Sequence, residues 1–75
     1  MTVWERYADA CLRVAEARGE VTATSAATYA AEGTPIHATM KAVEKAAENR
    51  LFAAEGEAVE YRKAVLIDAI KRGAA

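Results

Sequence analysis

The residue types that carry out most enzyme chemistry are scarce in this chain. It has one Cys (Cys11), one His (His37) and one Ser (Ser25). Nucleophilic catalysis needs a base beside the nucleophile, and a metal site needs several ligands, so three isolated residues indicate neither. The sequence also has no glycine-rich phosphate-binding motif. We therefore expect a protein that is not an enzyme and that uses no metal or other cofactor.

One basic stripe could contact another molecule. His37, Lys41 and Lys45 recur every four residues, which places them on one face of a helix. Such a stripe can approach nucleic-acid phosphates, or it can be a solvated face with ion pairs, because Glu44 and Glu48 lie beside it. The formal net charge is −1, whereas a nucleic-acid-binding domain usually has a basic excess. The stripe alone leaves both interpretations open.

A capping box begins the chain. The Thr2 hydroxyl can accept a hydrogen bond from the amide of Glu5, and the Glu5 side chain can reach back to Thr2. Apolar residues then recur at helical spacing, and Gly19 is suited to follow the last helical turn. The pattern predicts a first helix over residues 2–18.

Two further helices are predicted on either side of a tight turn. Gly33 tolerates the left-handed backbone that such a turn needs. Thr34 is a favourable N-cap, and Pro35 is favoured at the first helical position. These signals predict a second helix over 22–32 and a third over 35–50.

The segment after residue 50 fits two structures. In the first, a β-hairpin turns near Gly56, and its second strand alternates side chains between two faces over 58–65. In the second, Gly56 ends the third helix and a fourth helix follows over 57–72. Weak strand propensity favours the helix, but its apolar residues would not share one side, so we expect the hairpin. Both structures allow a C-terminal helix at about 65–72.

Small size limits the core that the chain can bury. Its 75 residues make a single domain, 1–75, and alanine fills 20 positions, which favours helices and a thin core. We expect the following apolar residues to be largely buried: Trp4, Tyr7, Val14, Ile36, Met40, Val43, Leu51 and Phe52.

Cysteine usage and hydropathy indicate a cytoplasmic protein. Cys11 alone cannot form an internal disulfide, which is typical of a reducing compartment. No apolar run reaches the roughly 18 residues that suggest a membrane span. Charged residues begin at Glu5 and Arg6, which is unlike a secretory signal. We expect no membrane partner and no small-molecule substrate.

A series of residue classes accompanies the predicted elements over residues 4–63. The series is Gly19-Glu20-Val21-Thr22, Ala26-Ala27, Ala30, Gly33, Thr39, Leu51-Phe52, Gly56 and Tyr61-Arg62. This order resembles the winged helix-turn-helix DNA-binding domains of small bacterial or phage regulators. The resemblance implies a mostly α fold with a small β-hairpin as the wing.

The resemblance also implies a function. A transcriptional regulator or recombination accessory factor of this kind would place its third helix in the major groove of double-stranded DNA. It implies that base edges are approached by Thr34, His37, Thr39 and Lys41, and the DNA backbone by Lys45, Arg62 and Lys63. Because the net charge is near neutral, a homodimer or a partner protein would be needed to add contacts.

The alternative is an all-α bundle of three or four helices. It would be a protein-interaction module or homo-oligomeric adaptor that binds no nucleic acid. This alternative accounts for the near-neutral charge and the alanine-rich faces. The crowding of Val65, Leu66, Ile67 and Ile70 in a short segment also predicts that some of them meet a second subunit.

Overall fold

Two long helices make up the part of the protein that the structure describes. The computed structural model describes residues 2–73, with α1 at Val3–Ala30 and α2 at His37–Gly73, joined by a turn over residues 31–36. Within the described range there is no strand. The helices run antiparallel as a hairpin whose extents are 62 × 17 × 13 Å. Neither helix is long and apolar enough to cross a membrane.

The capping box predicted at the start of α1 is confirmed. The amide of Glu5 donates to Thr2 Oγ1 at 3.1 Å, and the amide of Thr2 donates to Glu5 Oε1 at 3.2 Å. The predicted end at Gly19 is wrong, because α1 continues without a break to Ala30. A mid-helix glycine costs only about 1 kcal/mol relative to alanine, which the packing of a long neighbouring helix can offset.

The turn lies where the sequence predicts it. Gly33 has a φ of 78°, the left-handed conformation for which glycine is suited. The Thr34 hydroxyl donates to the carbonyl of Ala31, as does the Thr34 amide at 2.9 Å. Thr34 therefore supplies hydrogen-bond donors to a backbone carbonyl at the C-terminal end of α1. The second long helix begins at His37 instead of the predicted Pro35.

The β-hairpin and the winged helix-turn-helix fold are wrong. Helix α2 runs through Gly56 to Gly73, so the predicted wing and separate C-terminal helix are parts of one helix. The hairpin was expected because a helix was assumed to need all apolar residues of this segment on one side, and that assumption is wrong. Tyr61 and Val65 instead face α1, while Val59 lies on a different face of the helix. The all-α alternative is consistent with the structure.

Contact between the helices follows a heptad pattern. Buried and half-buried residues recur at alternating steps of three and four, the spacing of a coiled-coil interface. We call this interface the seam. On α1 it contains Val3, Tyr7, Ala10, Val14, Ala17, Val21, Thr24 and Thr28. On α2 it contains His37, Met40, Glu44, Ala47, Leu51, Ala54, Ala58, Tyr61, Val65 and Asp68.

Most of the buried seam positions hold small residues, with Val65 as the larger exception. Ala10, Ala17 and Ala47 are buried, and small side chains allow the two helices to approach closely. Near the turn, Thr28 Oγ1 lies 2.8 Å from the carbonyl oxygen of Thr24 and 3.1 Å from that of Met40. The Thr28 hydroxyl therefore links α1 to the beginning of α2.

Half of the predicted core lies outside the seam. Tyr7, Val14, Met40 and Leu51 are half-buried seam residues. The other predicted core residues are exposed: Trp4, Ile36, Val43 and Phe52. The reason is geometric, since each helix has a neighbour on one side only. Any apolar residue away from the seam therefore meets water.

Candidate functional site

The hairpin has two long faces, one on each side of the seam. Successive residues turn by about 100° around a helix axis, so residues that precede and follow a seam position lie on opposite sides of it. Because the helices are antiparallel, the preceding residues of both helices lie on the same face of the hairpin. The two faces differ in the ion pairs that join the helices.

Ion pairs join the helices on the first face. Arg13 Nη2 lies 2.8 Å from Glu57 Oε1, and Arg50 Nη2 lies 2.9 Å from Glu20 Oε2. Arg13 also pairs with Asp9 on its own helix. We call this surface, defined by Asp9, Arg13, Glu20, Arg50 and Glu57, the ion-pair face. Exposed ion pairs of this kind each contribute only about 0–1 kcal/mol to stability. Their partners nevertheless show which residues of α1 lie beside which residues of α2.

Two carboxylates act on the guanidinium of Arg13. Desolvation lowers the pKa of the guanidinium, but the carboxylates of Asp9 and Glu57 outweigh that effect and raise the pKa above its ordinary value. Arginine is protonated near neutrality in any case, so the raised pKa records the attraction of the two carboxylates and changes no charge in that range.

The second face contains an open groove of about 350 Å³. Helix α1 lines it with Tyr7, Cys11, Val14, Ala15 and Arg18, and α2 lines it with Glu55, Ala58, Val59 and Arg62. The seam residues form its floor, and the residues that follow seam positions form its walls. Among the described residues, no ion pair joins the two helices on this side. We call it the groove face.

Large apolar side chains continue along the groove face beyond the groove itself. On α2 they recur every seventh residue as Phe52, Val59 and Leu66, whose exposed fractions are 82%, 50% and 51%. On α1, Trp4 is 46% exposed, and its indole Nε1 donates to Asp68 Oδ2 at 2.8 Å. Large exposed apolar patches on small proteins commonly mark interaction sites.

Most of the large apolar side chains of this face lie in one half of it. The half near the turn is mainly polar, with Thr22, Ser25, Lys41, Lys45 and Glu48 exposed, although Tyr29 beside the turn is 78% exposed. The half towards the chain ends carries Trp4, Val59 and Leu66, with Phe52 at its inner limit. An apolar partner would therefore be recognised by the half farther from the turn.

The residues predicted to contact DNA are spread over the whole hairpin. Thr34 lies in the turn, His37 is half-buried at the start of the seam, and Thr39 is exposed one residue before seam residue Met40. The predicted basic residues are all on α2, in the order Lys41, Lys45, Arg62 and Lys63.

Only two of these basic residues lie close together. Lys41 and Lys45 are exposed on successive turns at the turn end of the groove face. Arg62 lines the groove about 32 Å from Lys41 along the axis of α2, at the helical rise of about 1.5 Å per residue. Lys63 points away from the groove and pairs with Glu60 at 3.2 Å. The structure does not assemble the seven predicted residues into one surface.

Sequence reasoning missed the groove face, although a signal for it exists. Trp4 and Phe52 were expected in the core because they are large and apolar. The seven-residue spacing of Phe52, Val59 and Leu66 is a second heptad row, offset by one residue from the seam row. Two offset rows on one helix indicate two packing partners.

No group of three or more His, Cys, Asp or Glu side chains among residues 2–73 could hold a metal ion. Comparisons with known protein families, with curated proteins and with solved structures found no match for this chain.

Proposed function

We propose that this protein is a helical interaction module that self-associates through its groove face. The observation that carries the proposal is the row of exposed apolar residues Trp4, Phe52, Val59 and Leu66, on the face where no ion pair within residues 2–73 joins the helices. The proposal needs neither catalysis nor a cofactor.

A second copy of the chain fits this face for two physical reasons. The groove carries both an acidic residue, Glu55, and a basic residue, Arg62, so the surface contains its own electrostatic complement. Two hairpins stacked by their apolar faces also form a four-helix bundle. Such an assembly supplies the interior that a two-helix chain with an alanine seam lacks.

A matched pair of substitutions tests the proposal. Val59 on the groove face and Val43 beside the ion-pair face lie on the same helix, with exposed fractions of 50% and 41%. Val59→Glu should abolish self-association because it places a charge in the apolar contact. Val43→Glu, the control, should associate like the unsubstituted protein. Sedimentation equilibrium measures the mass, and circular dichroism checks that each variant remains helical.

The oligomeric state of the unsubstituted protein decides between a second copy of the chain and DNA as the partner. A helical monomer at concentrations up to about 1 mM, which limits the association free energy to weaker than about −4 kcal/mol, would overturn self-association. DNA binding stays a prediction, and the exposed pair Lys41 and Lys45 is the part of it that the geometry accommodates. A monomer that binds duplex DNA at low salt would make that prediction the leading one.

A further inference from the structure

We infer that the two copies stack antiparallel, with a two-fold axis that crosses the groove face at Val59 and Cys11. This arrangement rests on the self-association proposed above and specifies its geometry. Each α2 would lie on the α2 of the partner subunit, and each α1 on the partner's α1. The turn ends of the two hairpins would point in opposite directions.

The groove-face row of α2 is complementary to its own reverse. Its residues from 52 to 66 are Phe52, Glu55, Val59, Arg62 and Leu66, in the order apolar, acidic, apolar, basic, apolar. Antiparallel stacking about Val59 brings Phe52 against Leu66 of the partner subunit. The same stacking brings Glu55 against Arg62 of the partner subunit, and by symmetry the pair forms twice. Every member of the row therefore meets a residue of suitable chemistry.

The matching row of α1 has the same property. It contains Trp4, Ala8, Cys11, Ala15 and Arg18, with Cys11 at its centre. Antiparallel stacking places the indole of Trp4 against the guanidinium of Arg18 of the partner subunit, a favourable cation–π contact. It also sets the two alanines against each other, which allows the α1 helices to approach closely.

The two rows share one centre because of the register within the hairpin. The Arg13–Glu57 ion pair and the Trp4–Asp68 hydrogen bond place residue 11 of α1 beside residue 59 of α2. Cys11 and Val59 accordingly line the same groove. A single axis can therefore satisfy both helices at once.

The other two-fold arrangement has its axis along the hairpin and stacks α1 on the partner's α2. It would cover the entire groove face, including the polar half near the turn. Lys41 and Lys45 of both copies would then be drawn together and partly desolvated, which is unfavourable. Antiparallel stacking about Val59 instead leaves this half projecting into water.

Cys11 provides a direct probe of the axis. At an interaxial distance of about 8–10 Å and a Cα radius of about 2.3 Å, the two Cys11 Cα atoms would lie roughly 3.4–5.4 Å apart, and the upper part of this range suits a disulfide. The added oxidant diamide would accept two electrons and two protons from the two thiols as the sulfur–sulfur bond forms. We expect most chains to migrate as a covalent dimer.

The control moves the thiol along the same face. In the variant Cys11→Ser/Ser25→Cys, the new thiol is exposed, but the two copies of it would be about 42 Å apart. We expect no covalent dimer from this variant, even at the same non-covalent dimer population. Equal cross-linking of both proteins would show random collision and overturn the antiparallel register.

A charge exchange tests the register without a cysteine. Glu55→Arg and Arg62→Glu should each raise the dimer dissociation constant by about tenfold or more, and the double exchange should restore it. A dimer by sedimentation that neither cross-links at Cys11 nor shows rescue would overturn this geometry while leaving self-association intact. A helical monomer would overturn both.

Discussion

Replacing the two mid-helix glycines should stabilise the protein. Gly19 and Gly56 lie inside α1 and α2, and a Cβ added at either position would meet nothing within 4 Å. Both residues are exposed and lie away from the seam and the groove. Alanine therefore gains helix propensity at each site without a steric conflict and without disturbing the proposed contact.

The expected size of the effect follows from helix propensity. Gly to Ala in a helix interior is worth about 0.8–1.0 kcal/mol, so the double variant should be more stable by about 2 kcal/mol. Because 1 kcal/mol shifts the melting temperature of a domain of this size by about 4–8 °C, we expect a rise of roughly 8–16 °C.

Gly33 supplies a control of opposite sign. It adopts a φ of 78° in the turn, where a Cβ is strained whatever the space around it. Gly33→Ala should therefore destabilise the hairpin by about 1–2 kcal/mol.

Thermal unfolding followed by circular dichroism, at one fixed protein concentration, measures all of these variants. A lower melting temperature for Gly56→Ala would refute the reasoning, because that result is expected if Gly56 forms a turn.

Three further measurements examine the seam and the groove face. Ala47→Leu should lower stability by about 1–3 kcal/mol in urea unfolding, because Ala47 is fully buried and the seam has no room for a larger side chain; an unchanged midpoint would contradict this close packing. Phe52→Ala should leave the unfolding of the monomer nearly unchanged, within about 0.5 kcal/mol, yet weaken self-association. Fluorescence of Trp4, the only tryptophan, should shift to longer wavelength on dilution as the indole becomes exposed; a constant spectrum through dissociation would place Trp4 outside the contact.

Local signals in the sequence were sufficient for the start of α1 and for the turn between the helices. The capping box at Thr2 and Glu5 depends only on residues three apart, and the turn at Gly33 depends on a backbone conformation that few other residues adopt. Tyr7 and Leu51 were also correctly expected to pack inwards, since each falls on the seam of its helix.

Helix length was not predictable from the same local signals. Gly19 and Gly56 resemble stops, but each helix passes through its glycine because the partner helix supports it on the seam side. The seam itself is hard to recognise because several of its positions hold polar residues, among them His37, Glu44 and Asp68. With alanine at many of the remaining seam positions, the heptad pattern has little hydrophobic contrast.

The placement of large and small side chains connects the fold to the proposed assembly. Alanines at the seam let two helices pack closely but bury little apolar area, so the isolated hairpin gains little from the hydrophobic effect. The larger residues Phe52, Val59 and Leu66 stand outside that seam, where they can be buried only by another molecule. If a second copy of the chain covers them, the same contact buries these side chains in a shared hydrophobic core and determines which partner is bound. The seam would then hold each hairpin together, the groove-face side chains would add the stability of the assembly, and the ion-pair face would remain its solvated exterior.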